Sequence, residues 1–185
     1  MLDRIKARKA VEAPAGRNVL KTLFQTFCIW TFFLVLIPMV ISKVELWLGL
    51  DEWRFNYSVF KTIGIILFVV GGSLGLTSGL VMTVMGRGTP FPLDCPRELV
   101  VAGPYRYIRN PMVIAGLTQG VAVGLFAGSI PIIIYSFLGA PVWDAIARPW
   151  EERDLEMRFG ASYHDYRSKV RCWIPRLTAY QAKEE

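Results

Sequence analysis

The chain has 185 residues, room for one domain of ordinary size. Hydrophobic residues make up 53%, only 19% are charged, and mean hydropathy is +0.37, which excludes a disordered tail protein. The net charge of +6 would suggest nucleic acid in a soluble protein, but the basic residues here flank apolar runs. Cytoplasmic membrane flanks explain them better, and no nucleic-acid partner is expected.

Residues 1–19 form a basic leader with Arg4, Lys6, Arg8, Lys9 and Arg17. The run that follows is long and lacks a small-residue cleavage site, so it reads as a retained span, 20–42, rather than a signal peptide. Pro38 predicts a kink near its far end. A short connection, 43–58, leads to a second span at 59–85. Between Lys21 and Lys43 there are 21 uncharged residues, and between Lys61 and Arg87 there are 25. Both are membrane-span lengths.

Residues 86–110 predict a stiff loop rich in Gly and Pro, and a loop this long is usually functional. The 34 uncharged residues between Arg109 and Asp144 are too many for one span. Gly128, Ser129 and Pro131 split them into a tight hairpin, roughly 111–128 and 131–148. The leader to Lys21 holds six Lys/Arg, the 86–110 loop four and the segment from Arg148 eight. Four spans put all three regions on one side, the cytoplasm, with both termini there.

From Pro149 the chain turns amphipathic. Pro149 with Glu151, Glu152 and Asp154 predicts a helix start, and Gly160 a helix end. Ser162 and Asp165 suggest a capping box opening a second helix. The expected fold is therefore an all-α integral membrane protein. It has about four transmembrane helices, the last two a tight hairpin, plus C-terminal amphipathic cytoplasmic helices. The expected domains are the leader, 1–19, and one membrane domain, 20–185.

Glycine recurs every four residues at Gly71, Gly75 and Gly79, and again at Gly116, Gly120, Gly124 and Gly128. Each stripe lets another backbone come close. The three cysteines, Cys28, Cys95 and Cys172, give no disulfide framework, and no metal-ligand spacing is present.

Two clusters can carry chemistry. Arg106 and Arg109 share a face if helical and could clamp a carboxylate or phosphate; as plain interface anchors they need no ligand. Glu151 and Glu152 could hold ribose hydroxyls or an ammonium group; they also suit a helix start. Asp144 is the one acid in the hairpin, a candidate base, and it stands four residues before Arg148, as a simple ion pair would.

Together, Arg109-Asn110-Pro111, a hydrophobic hairpin and Glu151-Glu152 resemble the pattern of small integral-membrane methyltransferases. That family includes isoprenylcysteine carboxyl methyltransferases and phospholipid N-methyltransferases. The approach Gly103-Pro104-Tyr105-Arg106-Tyr107 and the tail from Phe159-Gly160 to Trp173-Ile174-Pro175 are similar too, so the motif-bearing core covers about 60–176. Asn110 stands where many members have His, and Val113 where the pattern has Tyr.

The resemblance implies S-adenosylmethionine as methyl donor on the cytoplasmic side. It would be lined by Arg106, Tyr107, Arg109, Asn110, Pro111, Glu151 and Glu152, with Gly71, Gly72 and Ser73 as the nearest match to a glycine segment in the preceding span. It implies a lipid-like or other apolar acceptor entering from the bilayer: a phospholipid amine, a thiol or a carboxylate. Two alternatives stay open: a non-catalytic membrane scaffold packed through its glycine stripes, and a reductase.

Overall fold

A computed structural model describes residues 14–90 and 95–182. The basic residues Arg4, Lys6, Arg8 and Lys9 of the expected leader lie outside these. Five α-helices are described: α1 (Ala15–Trp30), α2 (Ile37–Trp47), α3 (Ser58–Gly86), α4 (Pro111–Ala127) and α5 (Ile130–Lys169). Among the described residues there is no strand; Arg54 and Ser129 form an isolated bridge.

Three helical stretches are long and apolar enough to cross a membrane: Ala15–Trp47, Ser58–Gly86 and Ile130–Lys169. The shorter α4 has 17 residues, the lower end of what a span needs. The helices carry large apolar side chains outward, among them Phe27, Val40, Ile66, Val69, Phe137 and Leu138. Lipid is the solvent in which such a surface is stable.

The first helical stretch shows how Pro38 is accommodated. A π-helical segment, Thr31–Leu36, joins α1 to α2, and the Ile37 N–H reaches back five residues to the Phe32 carbonyl. In that register Pro38, which has no N–H, leaves the Phe33 carbonyl without its donor. The Tyr135 hydroxyl donates to it instead, at 3.3 Å. The predicted disturbance is thus a widened turn just ahead of the proline.

The described residues fall into two compact units. One comprises Thr26–Gly75 and Met112–Arg148. Here only Gly128 and Ser129 separate α4 from α5, as a tight hairpin requires. Gly128 has φ +65°, and a Cβ there would collide with the Phe55 carbonyl, so only glycine fits. The Ser129 hydroxyl accepts from the Ile132 N–H at 3.2 Å and donates to the buried Glu45 carboxylate at 2.9 Å. The glycine stripes do bring backbones together. A Cβ on Gly71 would stand 3.1 Å from the Ala115 carbonyl oxygen, and one on Gly124 2.9 Å from the Ile133 nitrogen. Gly116, by contrast, has open space around it.

The other unit comprises Met1–Gln25, Leu76–Pro111 and Pro149–Glu185. Its core is Tyr163, Tyr166, Val170 and Tyr180, with Leu99, Val101, Leu155 and Phe159 packed against it. The Thr22 and Thr83 hydroxyls share a buried hydrogen bond at 2.7 Å.

Two boundaries differ from expectation. α1 already begins at Ala15, inside the expected leader. α5 runs through Pro149 without restarting. Proline removes one hydrogen bond but does not forbid the helix, and local propensity yields where the flanking turns are held by packing. α5 does break at Gly160, whose φ 47° and ψ −119° are non-helical. The uncharged part of α5 is residues 130–143, ending before Asp144.

Candidate functional site

The arginine segment enters through a 3₁₀ turn, Gly103–Arg106. Gly103 has φ +54°, and a Cβ there would press on the Val81 side chain at 3.0 Å. The turn closes with N–H groups of Tyr107 and Ile108 donating to the Pro104 carbonyl at 3.0 and 3.2 Å. Pro111 then opens α4, where its missing N–H costs nothing.

Because the segment is a tight turn rather than an α-helix, the two arginines have different partners. Arg106 Nε donates to the Tyr180 carbonyl at 2.9 Å, and the Tyr180 N–H returns a bond to the Arg106 carbonyl at 2.9 Å. Arg106 thereby fastens the C-terminal tail and lines a cavity of about 600 Å³ with Val101, Ala102 and Tyr180. Arg109 instead turns to α5. Its Nη1 donates to Glu152 Oε1 at 2.8 Å and to the Tyr163 hydroxyl at 3.2 Å. The side chains of this ion pair are 9% and 11% exposed, so it is shielded from water.

The break at Gly160 supplies the rest of the pair's surroundings. In a straight helix Glu152 and Arg167 would be about 22 Å apart. With the chain turned at Gly160, Arg167 Nη2 stands 3.0 Å from Glu152 Oε2 and its Nη1 pairs with Glu156. A Cβ on Gly160 would meet open space, so glycine is needed for its backbone angle, not for room. Glu152 thus bridges two guanidiniums, a charge balance that lets it remain buried.

Glu151 is different. It is half-buried and has no hydrogen-bond partner among the described residues. Burial, then the neighbouring Glu152 charge, raise its carboxyl from 4.5 to about 7, against the pull of Arg109. Tyr163 is pushed up to about 12, chiefly by burial, so it meets Arg109 as a neutral hydroxyl. Arg109 retains one buried donor, Nε, without a hydrogen-bond partner among the described residues.

The expected residues therefore divide. Arg109, Glu152 and Glu151 come together in one unit. Asn110 is tied to the tail by its amide, which donates to Cys172 Sγ at 3.2 Å. Tyr107 is exposed, while its carbonyl accepts from the Arg176 N–H at 2.9 Å. Gly71, Gly72, Ser73 and Asp144 belong to the other unit. Gly71 and Gly72 are buried and Ser73 is exposed. Asp144 accepts from Arg148 Nη1 at 2.6 Å, one helical turn along α5. Sequence reading missed the part of Tyr163 and Arg167. The signal was present: Gly160 foretold a break, and a break returns the following residues to the preceding turn.

The profile of the family described as "Phospholipid methyltransferase" matches residues 59–162, more than half of the chain. A protein named methanethiol S-methyltransferase 2, from Bradyrhizobium diazoefficiens, is 32% identical over 82 residues. That stretch covers 44% of this chain and 30% of the relative, so the likeness reaches less than a third of that protein's length. The family match at 59–162 takes in the glycine spans, the Arg109 segment, the hairpin and the glutamate pair. The chain belongs to the phospholipid methyltransferase family of integral-membrane methyltransferases.

Proposed function

We propose that this protein transfers a methyl group from S-adenosylmethionine to a lipid-like or other apolar acceptor at the cytoplasmic face of an inner membrane. In this reading α4 is a span as well, giving four, and both termini lie in the cytoplasm. The single observation that carries it is the shielded Arg109–Glu152 pair, which joins the two halves of the motif across 43 residues of sequence. The family membership supports methyl transfer as the reaction class.

The residues present suit the donor. Arg109 Nε is a buried unpaired hydrogen-bond donor, matched to the carboxylate of an amino-acid moiety. Glu151 is an unpaired carboxylate beside it, matched to an ammonium or a ribose hydroxyl. The bound donor supplies a methyl group already activated on a sulfonium sulfur. The protein's task is then to orient the reactants and exclude water. Arg106 and Asn110 hold the segment to the C-terminal tail, and Pro111 fixes its exit into α4. Tyr107 offers an exposed ring for the sulfonium charge.

A methyl acceptor that carries a proton must release it. Glu151 suits that step better than Asp144, since it has no partner and exchanges its proton near neutral pH. Asp144 is occupied by Arg148. The methanethiol in the relative's name supports a thiol among the acceptor classes.

Labelled S-adenosylmethionine, titrated into the purified protein in detergent, tests the reading. Saturable binding to wild type, lost in Glu151→Ala/Glu152→Ala but retained by folded variants outside the site, is expected. Absence of binding by folded wild-type protein would sink it and favour a scaffold.

A further inference from the structure

Gln119 stands midway along α4, about 12 Å of helix from either end. It is fully buried, at 0% exposure. Both of its amide atoms, Oε1 and Nε2, are enclosed and have no hydrogen-bond partner among the described residues. An unpaired amide at membrane depth is costly, because neither water nor lipid can satisfy it.

The amide points at the glycine pair of α3. Gln119 Cγ lies 3.0 Å from where a Cβ on Gly71 would be, and Nε2 lies 3.4 Å from where one on Gly72 would be. At Gly72 the amide is the sole neighbour within 4 Å. Any side chain there would therefore stand directly in front of Nε2. The glycine stripe alone is helix packing. The unpaired amide aimed into it is a second, polar feature that packing does not require.

The ionisable groups of this unit are engaged at its ends or set well apart in sequence. Glu45 and Arg54 pair beside the hairpin turn, and Asp144 pairs with Arg148. Lys61 precedes Gly71 by almost three helical turns. A charged head at Gln119 would lack a counter-ion in that apolar interior. An uncharged head with one X–H group fits both amide atoms: it donates to Oε1, and its lone pair accepts from Nε2.

We propose, on the basis of the methyl-transfer reading, that Gln119 and the Gly71–Gly72 backbone form a recognition site for a small uncharged thiol acceptor. The S–H donates to Gln119 Oε1 and the sulfur accepts from Nε2. A thioether has no S–H to give, so the site holds the methylated product less firmly than the thiol.

The test titrates 1-propanethiol into the full-length protein in detergent and follows the melting temperature. Wild type shows a saturable rise. Gln119→Met removes both polar atoms at similar length and abolishes the rise. Gly72→Ala places a methyl at van der Waals distance from Nε2 and also abolishes it. Without thiol, Gln119→Met melts no lower than wild type, because the amide gives up no hydrogen bond within the protein. The S-adenosylmethionine affinity of Gln119→Met stays within about twofold of wild type. In turnover assays the thiol KM rises about tenfold while kcat holds, as loss of a ground-state hydrogen bond predicts. Equal thiol binding by wild type and Gln119→Met overturns the proposal. So does no thiol binding by wild type, or a lower melting temperature for Gln119→Met, which marks a packing role. Failure of wild type to bind S-adenosylmethionine instead removes the methyl-transfer reading, while the thiol titration still decides whether the site exists.

Discussion

Arg109 and Glu152 meet at 2.8 Å with both side chains about nine-tenths shielded, although 43 residues of chain separate them. A shielded ion pair is a poor source of net stability, but removing one partner leaves a buried charge. Glu152→Ala or Arg109→Ala should each cost about 3–5 kcal/mol, read as a lower melting temperature. Removing both should cost less than the sum, and a double-mutant cycle measures that coupling.

Glu151 gives a pH dependence of definite sign. Its carboxyl titrates at about 7 in the fold against an ordinary 4.5. Between these values the folded chain keeps a proton that the unfolded chain has lost. Stability should therefore fall as pH rises from about 4.5 to about 7, then level off. Melting curves across this window should show the fall in wild type and its absence in Glu151→Gln. If Glu151 accepts the acceptor's proton, kcat/KM rises with pH through about 7, and Glu151→Gln loses that limb.

Asp144 should prove dispensable. Its carboxylate is bound to Arg148 one turn away, and that pair is partly exposed. Such a pair contributes only about 0.2–0.5 kcal/mol. Asp144→Asn should leave the turnover of an amine acceptor unchanged. A loss of tenfold or more would return the base role to Asp144.

The α4–α5 hairpin should be intolerant at its two connecting residues. Gly128→Ala forces an L residue into φ +65° and drives its Cβ into the Phe55 carbonyl. The backbone angle alone should cost about 1–3 kcal/mol, and the collision adds to it. Ser129→Ala strips the buried Glu45 carboxylate of its donor, at about 1–3 kcal/mol. Thermal denaturation of the two variants in detergent checks both values.

Most of the helices were legible because membrane spans announce themselves. A long uncharged run has few alternatives, and Gly128-Ser129 marked the hairpin turn correctly. The glycine stripes were legible for the same reason, since glycine every fourth residue lies on one helix face. The helix through Pro149 was not legible. Proline at a polar boundary reads as a start, and only packing on both sides decides otherwise.

The sequence by itself determined an all-helical chain, the long apolar stretches and the family pattern around Arg109, Asn110, Pro111, Glu151 and Glu152. These are local or periodic properties, set by side-chain chemistry along the chain. Only the tertiary structure decided that Arg109 pairs with Glu152 while Arg106 holds Tyr180, and that Arg167 returns to Glu152 through Gly160. It also decided that Glu151 and the Gln119 amide are left without hydrogen-bond partners among the described residues. Those outcomes depend on which distant atoms arrive within three ångströms of each other, and spacing in sequence does not record that distance.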